Sequence, residues 1–317
     1  LMNPIASLVL IRMNGGTAMM RILGIVGVQV CICVPIIVFQ FCKGKEFFSK
    51  EYWGYALRIG IPIVPHYLSG IILNQGDRIM IDKMVGKTEV ALYGLAYSIG
   101  MLVQLFISGM NSALTPWMYS KIKKGDICSM RKVLQLLSVV VVGIAVALML
   151  ISPELVLIFG SPKYREAVYV IPPVAASVFF IFIYNILSMP QFYYEKTQFL
   201  MAASMAAAGA NVVLNFIFIR LFGYIAAGYT TLACYMLYSV GHYIVSKRIL
   251  VNEEIQENLM SPGFLVACSV FLIGASIICN LIFPYRILRY AILLASAGLV
   301  FWKKELLLKT MADIRKK

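Results

Sequence analysis

Six side chains in this 317-residue sequence could hold a charged or strongly polar ligand: Arg58, His66, Asp77, Arg78, Gln104 and Asn111. Asp77 and Arg78 close a long apolar run, and ionisable groups at membrane depth are costly and mark functional sites by default. A guanidinium can grip phosphate oxygens with two parallel hydrogen bonds. The pair also has a structural reading, in which both residues lie at a membrane surface and Arg78 pairs with Asp82 at i, i+4. Arg58 reads as an anchor at a helix end or as a ligand. His66, beside Pro65, reads as a helix–helix hydrogen-bonding residue or as a proton relay. Gln104, Ser108, Asn111 and Ser112 recur at i, i+4, i+7 and i+8, so they share one helical face. Such a stripe forms either interhelical bonds, each worth ~0.6 kcal/mol, or the wall of an aqueous cavity. Spanning two turns, it favours the cavity wall.

The elements that carry these residues follow from composition. Residues of the set AVILMFWYC make up 61% of the chain and charged residues only 13%, far from the balance of a soluble enzyme, a disordered chain or a coiled coil. An uncharged run of about 20 residues is long enough to cross the hydrocarbon of a bilayer. Eight such runs occur, at 22–42, 59–76, 90–120, 133–153, 167–194, 197–219, 221–246 and 258–285. A ninth, 290–302, reaches spanning length only if residues 287–288 join it and Arg289 snorkels to the surface. Backbone groups in lipid must be bonded internally, and these runs lack the alternation of a lipid-facing barrel, so they are expected to be helices. The fold class is therefore all-α, a polytopic membrane helix bundle. Pro62 and Pro65 are expected to kink or open the span at 59–76.

Orientation comes from Lys and Arg. With the C-terminus in the cytoplasm, 18 of the 28 basic residues fall in inside segments, most densely at Lys121-Ile122-Lys123-Lys124 and in the tail. Trp53, Trp117 and Trp302 then all lie at cytoplasmic helix ends, and none of the seven cysteines lies in an outside loop. The net charge of +14 is thus topology dispersed among loops, which argues against nucleic acid as a partner. Residue 1 is Leu, and residues 1–11 have neither the basic start nor the cleavage site of a signal peptide. The chain is expected to lack an N-terminal portion.

Catalytic patterns are missing. Gly86-Lys87-Thr88 ends like a phosphate-binding loop, but Ile81 stands where a glycine is required. His66 and His242 have no metal-ligating partner at helical spacing. No Asp-x-Asp cluster occurs in the cytoplasmic loops. These features predict a protein that is not an enzyme.

Residues 55–120 resemble the bacterial polysaccharide-unit flippases, the translocases of O-antigen and capsule repeats within the MOP exporter superfamily. The resemblance rests on Gly60-Ile61-Pro62, Asp77-Arg78-Ile79, Gly86, Val90, Tyr93, Ala96-Tyr97 and Gly100. It implies two pseudo-symmetric lobes around a central cavity. Residues 1–42 would be the end of the first lobe, 43–54 a cytoplasmic linker, 55–246 the second six-helix lobe, 247–261 a second linker, 262–303 two extra helices and 304–317 a basic cytoplasmic tail. It also implies a function in the bacterial plasma membrane: moving an oligosaccharide repeat unit on undecaprenyl pyrophosphate from the cytoplasmic to the outer leaflet for surface polysaccharide biosynthesis. Partners would be that lipid-linked oligosaccharide, membrane lipid and other polysaccharide assembly proteins. No cofactor is implied, and the coupling ion, H+ or Na+, stays open. Arg78 and Arg58 are the expected contacts to the pyrophosphate or glycan. Two alternatives remain. A multidrug or small-molecule antiporter of the same superfamily would need an acid deep in a span, for which Asp77 is the candidate. A membrane glycosyltransferase or polymerase would need loop carboxylates that the sequence does not show.

Overall fold

The computed structural model describes residues 2–13, 18–45 and 48–302. Residue 303 and the basic tail 304–317 lie outside the described residues. Every regular element described is helical: α1 (Met2–Met13), α2 (Ala18–Gly44), α3 (Lys50–Met84), α4 (Lys87–Gly100), α5 (Leu102–Lys123), α6 (Ile127–Phe159), a 3-10 turn (Pro162–Val170), α7 (Ile171–Tyr193), α8 (Thr197–Phe222), α9 (Ile225–Asn252), α10 (Pro262–Ile282) and α11 (Arg286–Trp302). Seven helical stretches among them are long and apolar enough to cross a membrane. The chain is an all-α polytopic membrane helix bundle, as its composition requires.

The chain divides into two units, Leu1–Arg58 and Ile59–Lys317. In the first, α1 and α2 pair. Gly24 of α2 abuts Ser7 so closely that an added Cβ would lie 2.5 Å from the Ser7 Cα, and the Ser7 hydroxyl donates to the Arg21 carbonyl at 3.2 Å.

The second unit is built around α7. Its sequence, from Ile171 through Ile183, carries no charge and is buried on all sides, as a helix that is apolar all round must be. Pro172 and Pro173 open α7, where their missing N–H groups have no intrahelical partner to lose. Helices α4, α5, α6, α9 and α10 pack against it. Gly228 of α9 sits against Pro173 and Val170, and Gly100 of α4 against Val174. The 90–120 run is not one helix but two, meeting at Met101 (φ −84°, ψ 2°) and both packed on α7.

Three further differences from the sequence reading have local causes. Helix assignment runs unbroken through Pro62 and Pro65 in α3, so no opened segment forms there. Helix α9 falls outside the seven most apolar stretches because its polar residues, among them Thr230, Thr231, Tyr235, Tyr238 and His242, are buried against neighbouring helices. Arg289 does not snorkel. It is 3% exposed, donates to both carboxylate oxygens of Glu154 on α6 at 2.8 Å and to the Leu150 carbonyl at 2.7 Å. Tyr290 adds a hydroxyl to the same carboxylate at 3.0 Å. The pair ties α11 to α6.

Candidate functional site

The third helix sorts its polar residues by angle. Ser69, Leu73, Asp77 and Ile81 are buried and recur every fourth residue, so they share one face turned into the bundle. Asp77 lies on that face and is fully buried. Arg78, about 100° further round, is half-buried. Adjacent in sequence, the two residues belong to different environments.

Asp77 is held by three neutral donors from three other helices. Tyr93 of α4 donates to Oδ2 at 2.5 Å, Thr231 of α9 to the same oxygen at 2.7 Å, and the Asn215 amide of α8 to Oδ1 at 2.5 Å. The Asn215 amide also reaches Asn211 Oδ1 at 3.1 Å, and the Thr230 hydroxyl donates to Asn215 Oδ1. One turn away on α3, Asn74 Oδ1 accepts from Tyr97 at 2.8 Å and Tyr235 at 3.3 Å. Among the described residues Asp77 takes part in no ion pair. One carboxylate surrounded by amide and hydroxyl oxygens is a hard, oxygen-only environment. It suits a proton or a hard monovalent cation and offers nothing to a soft metal.

Arg78 is held differently. Its Nη1 donates to Gln75 Oε1 at 3.0 Å, its guanidinium carbon lies 5.1 Å from the centre of the Tyr97 ring, and its Nε is buried without a partner. It forms no ion pair with Asp82, which is exposed. The interfacial pair that the i, i+4 spacing allows is therefore not made, and among the described residues no carboxylate pairs with Arg78.

The stripe on α5 is present as read. Ser108 and Ser112 are exposed and donate to the carbonyls of Gln104 and Ser108. Gln104 and Asn111 are half-buried, and their side-chain carbonyls are buried without partners. Arg58 is exposed and belongs to the first unit.

His66 joins a separate cluster. Its Nδ1 lies 2.5 Å from the Ser204 hydroxyl of α8 and 3.1 Å from the Tyr238 hydroxyl of α9, and those hydroxyls are 2.8 Å apart. The helix–helix bonding read for His66 is what the structure shows. The residues the sequence reading missed are mostly on α9. Thr231, Tyr235, Tyr238, His242 and Ser246 recur at i, i+4, i+7, i+11 and i+15, a polar stripe whose period was available in the sequence. On α8, Ser204 lies 2.8 Å from the Tyr238 hydroxyl and Asn215 accepts from the neighbouring Thr230. Tyr93 and Tyr97 had carried the family resemblance without a role.

The chain is 28% identical over 171 residues to "Lsg locus putative protein 1" of Haemophilus influenzae, covering 51% of this chain and 41% of that protein. It is also 28% identical over 190 residues to an "Uncharacterized membrane protein" of the same organism, covering 56% of this chain and 46% of that protein. The matched stretch thus spans less than half the length of each curated relative. No solved structure matches the chain. Residues 4–122, which include Asp77, Arg78, Tyr93, Tyr97, Gln104 and Asn111, match the polysaccharide biosynthesis protein family, so the resemblance read at 55–120 holds.

Proposed function

We propose that the chain acts in the bacterial plasma membrane as a transporter, not an enzyme, and carries an oligosaccharide repeat unit on undecaprenyl pyrophosphate from the cytoplasmic to the outer leaflet. The observation that carries this reading is Arg78: a half-buried guanidinium, braced by Tyr97 and Gln75, paired with no carboxylate among the described residues. A pyrophosphate is the anion such a cation suits. The exposed hydroxyls and half-buried amides of α5 supply hydrogen-bonding surface for a glycan. Asp77 is the group on which a coupling cation, H+ or Na+, would be held. The similarity to a polysaccharide biosynthesis family supports the choice of cargo.

One observation favours the antiporter reading: Asp77 is fully buried in the bundle, as a cation-coupling acid would be. Reconstitution separates the readings. The full-length protein in proteoliposomes with a labelled lipid-linked oligosaccharide should raise the fraction of label reached by an impermeant reagent. An antiporter would leave that fraction unchanged and release a small organic cation down an ion gradient. A polymerase would lengthen the sugar. Orientation is checked separately, with single cysteines in a Cys-less background. One at Lys124 should resist an impermeant maleimide in intact cells and one at Lys163 should react.

A further inference from the structure

The chain has two histidines, and the structure brings them together from α3 and α9. Their ring centroids are 6.5 Å apart. The hydrogen bonds are consistent with opposite tautomers. The Ser204 hydroxyl lies 2.7 Å from the Leu200 carbonyl, and His66 Nδ1 lies within reach of both the Ser204 and the Tyr238 hydroxyls. With the Ser204 proton given to Leu200, its oxygen accepts from Tyr238 and from His66 Nδ1–H, the assignment the proposal adopts, and His66 Nε2 is then the open nitrogen. The Gln191 amide donates to the Leu187 carbonyl at 3.2 Å and to His242 Nδ1 at 2.8 Å, so His242 carries its proton on Nε2. His242 is fully buried, and its Nε2, Gln191 Oε1 and Ser246 Oγ are all buried without partners. His66 is half-buried.

The surroundings hold no fixed charge that would commit either ring. The titratable groups facing the pair are Tyr67 of α3, Tyr184 of α7 and Tyr238 of α9. Helix α8 contributes Ser204. No Lys, Arg, Asp or Glu among the described residues is hydrogen-bonded to either imidazole. A purely structural histidine pair would have its nitrogens satisfied. Here one ring offers an N–H with no acceptor and the other an open nitrogen, and both lie on the polar seam that continues along α9 to Thr231 and Asp77.

We propose that His66 and His242 form a proton-relay site. A proton arriving by way of water binds His66 Nε2, making that ring an imidazolium. The imidazolium gives up a proton through water to the His242 ring, which takes it on Nδ1 as the Gln191 amide turns to present its oxygen, and releases the proton on its Nε2 toward Ser246. Each ring ends with the number of protons it began with. The proposal rests on the transport reading only in making this proton the coupling ion.

Because there are two histidines, nitrogen NMR of the full chain labelled only at histidine gives two imidazoles, assigned by His66→Gln and His242→Gln. At the alkaline end of the range from about pH 5 to 8, one Nδ1–H and one Nε2–H ring should appear. On acidification the two should take up one proton between them, with both sets of signals moving together. In His242→Gln the His66 signals should move at a different pH. Rings that share one tautomer, do not change over that range, or titrate independently would overturn the proposal. Ser204→Ala and Tyr238→Phe keep both imidazoles, and each should disturb the tautomer pattern of His66. In proteoliposomes, His242→Gln should lose the acceleration produced by an imposed pH gradient while keeping gradient-free exchange of the cargo. An unchanged response to the gradient would also overturn it. Failure of the unmodified full-length protein to exchange cargo would count against the transport reading, and the NMR result would still decide the relay.

Discussion

Two carboxylates inside the second unit are treated in opposite ways. Glu154 receives a guanidinium on both oxygens from Arg289, plus the Tyr290 hydroxyl. Asp77, more deeply buried, receives only two hydroxyls and an amide, although an arginine is the next residue in the chain. A carboxylate that joins helices is best matched by a permanent cation with a rigid fork. One surrounded by neutral donors can take a small cation or a proton and release it, because its donors can turn or swap roles. The same contrast separates the cations. Arg289 is paired with a carboxylate, and among the described residues Arg78 is not.

The largest effect should come from breaking the first pair. Arg289→Ala leaves Glu154 without its cation and should cost about 3 kcal/mol, the low end for a buried pair because Glu154 is a quarter exposed. The double change Glu154→Gln with Arg289→Met should recover most of the loss. Thermal unfolding in detergent reads both, and a neutral Arg289→Ala would erase the contrast. Asp77→Asn should act the other way round. The amide keeps the shape and an acceptor, and the hydroxyls of Tyr93 and Thr231 can turn to accept from it, so stability should fall by only about 1 kcal/mol. Transport in proteoliposomes should nevertheless drop to background. A stable, fully active Asp77→Asn would make Asp77 another structural residue.

Much of this was readable in the sequence, and the parts that were not share a cause. The uncharged runs located α2, α6, α8 and α10, because a lipid-spanning helix is specified by its own residues. The stripe of Gln104, Ser108, Asn111 and Ser112 on α5 was visible for the same reason. The long-range partners of the buried polar residues were not. Asp77 meets Asn215 across 138 residues and Thr231 across 154, and Arg289 meets Glu154 across 135. Spacing predicted an Arg78–Asp82 pair because local geometry permits it. The Tyr97 ring and Gln75 hold the guanidinium instead. Gly100, the last residue of α4, lies close against Val174 of α7, and no local pattern encodes that contact.

Smaller effects sharpen the contrast around Arg78. Tyr97→Phe keeps the ring under the guanidinium and should leave transport near normal. Tyr97→Leu removes it and should weaken cargo binding by about 2- to 30-fold, in line with the ~0.5–2 kcal/mol of a cation–π contact between a buried ring and a half-buried guanidinium. The smallest change in stability should come from Gln104→Ala and Asn111→Ala. Neither side-chain carbonyl has a partner, so each should shift stability by no more than the ~0.6 kcal/mol of an average interhelical bond. Together they should slow glycan transport if α5 lines the path. Unchanged transport by the double variant would remove α5 from the cavity wall.

The most direct test of the central claim is Arg78 itself, by complementation of a flippase-null strain scored as surface polysaccharide per unit of the protein in the membrane. If its guanidinium grips the anionic part of the cargo, Arg78→Ala should restore almost no polysaccharide. Arg78→Lys, which keeps the charge but loses the bidentate fork, should restore only part. Near-normal polysaccharide from Arg78→Ala, at normal membrane levels, would contradict the account.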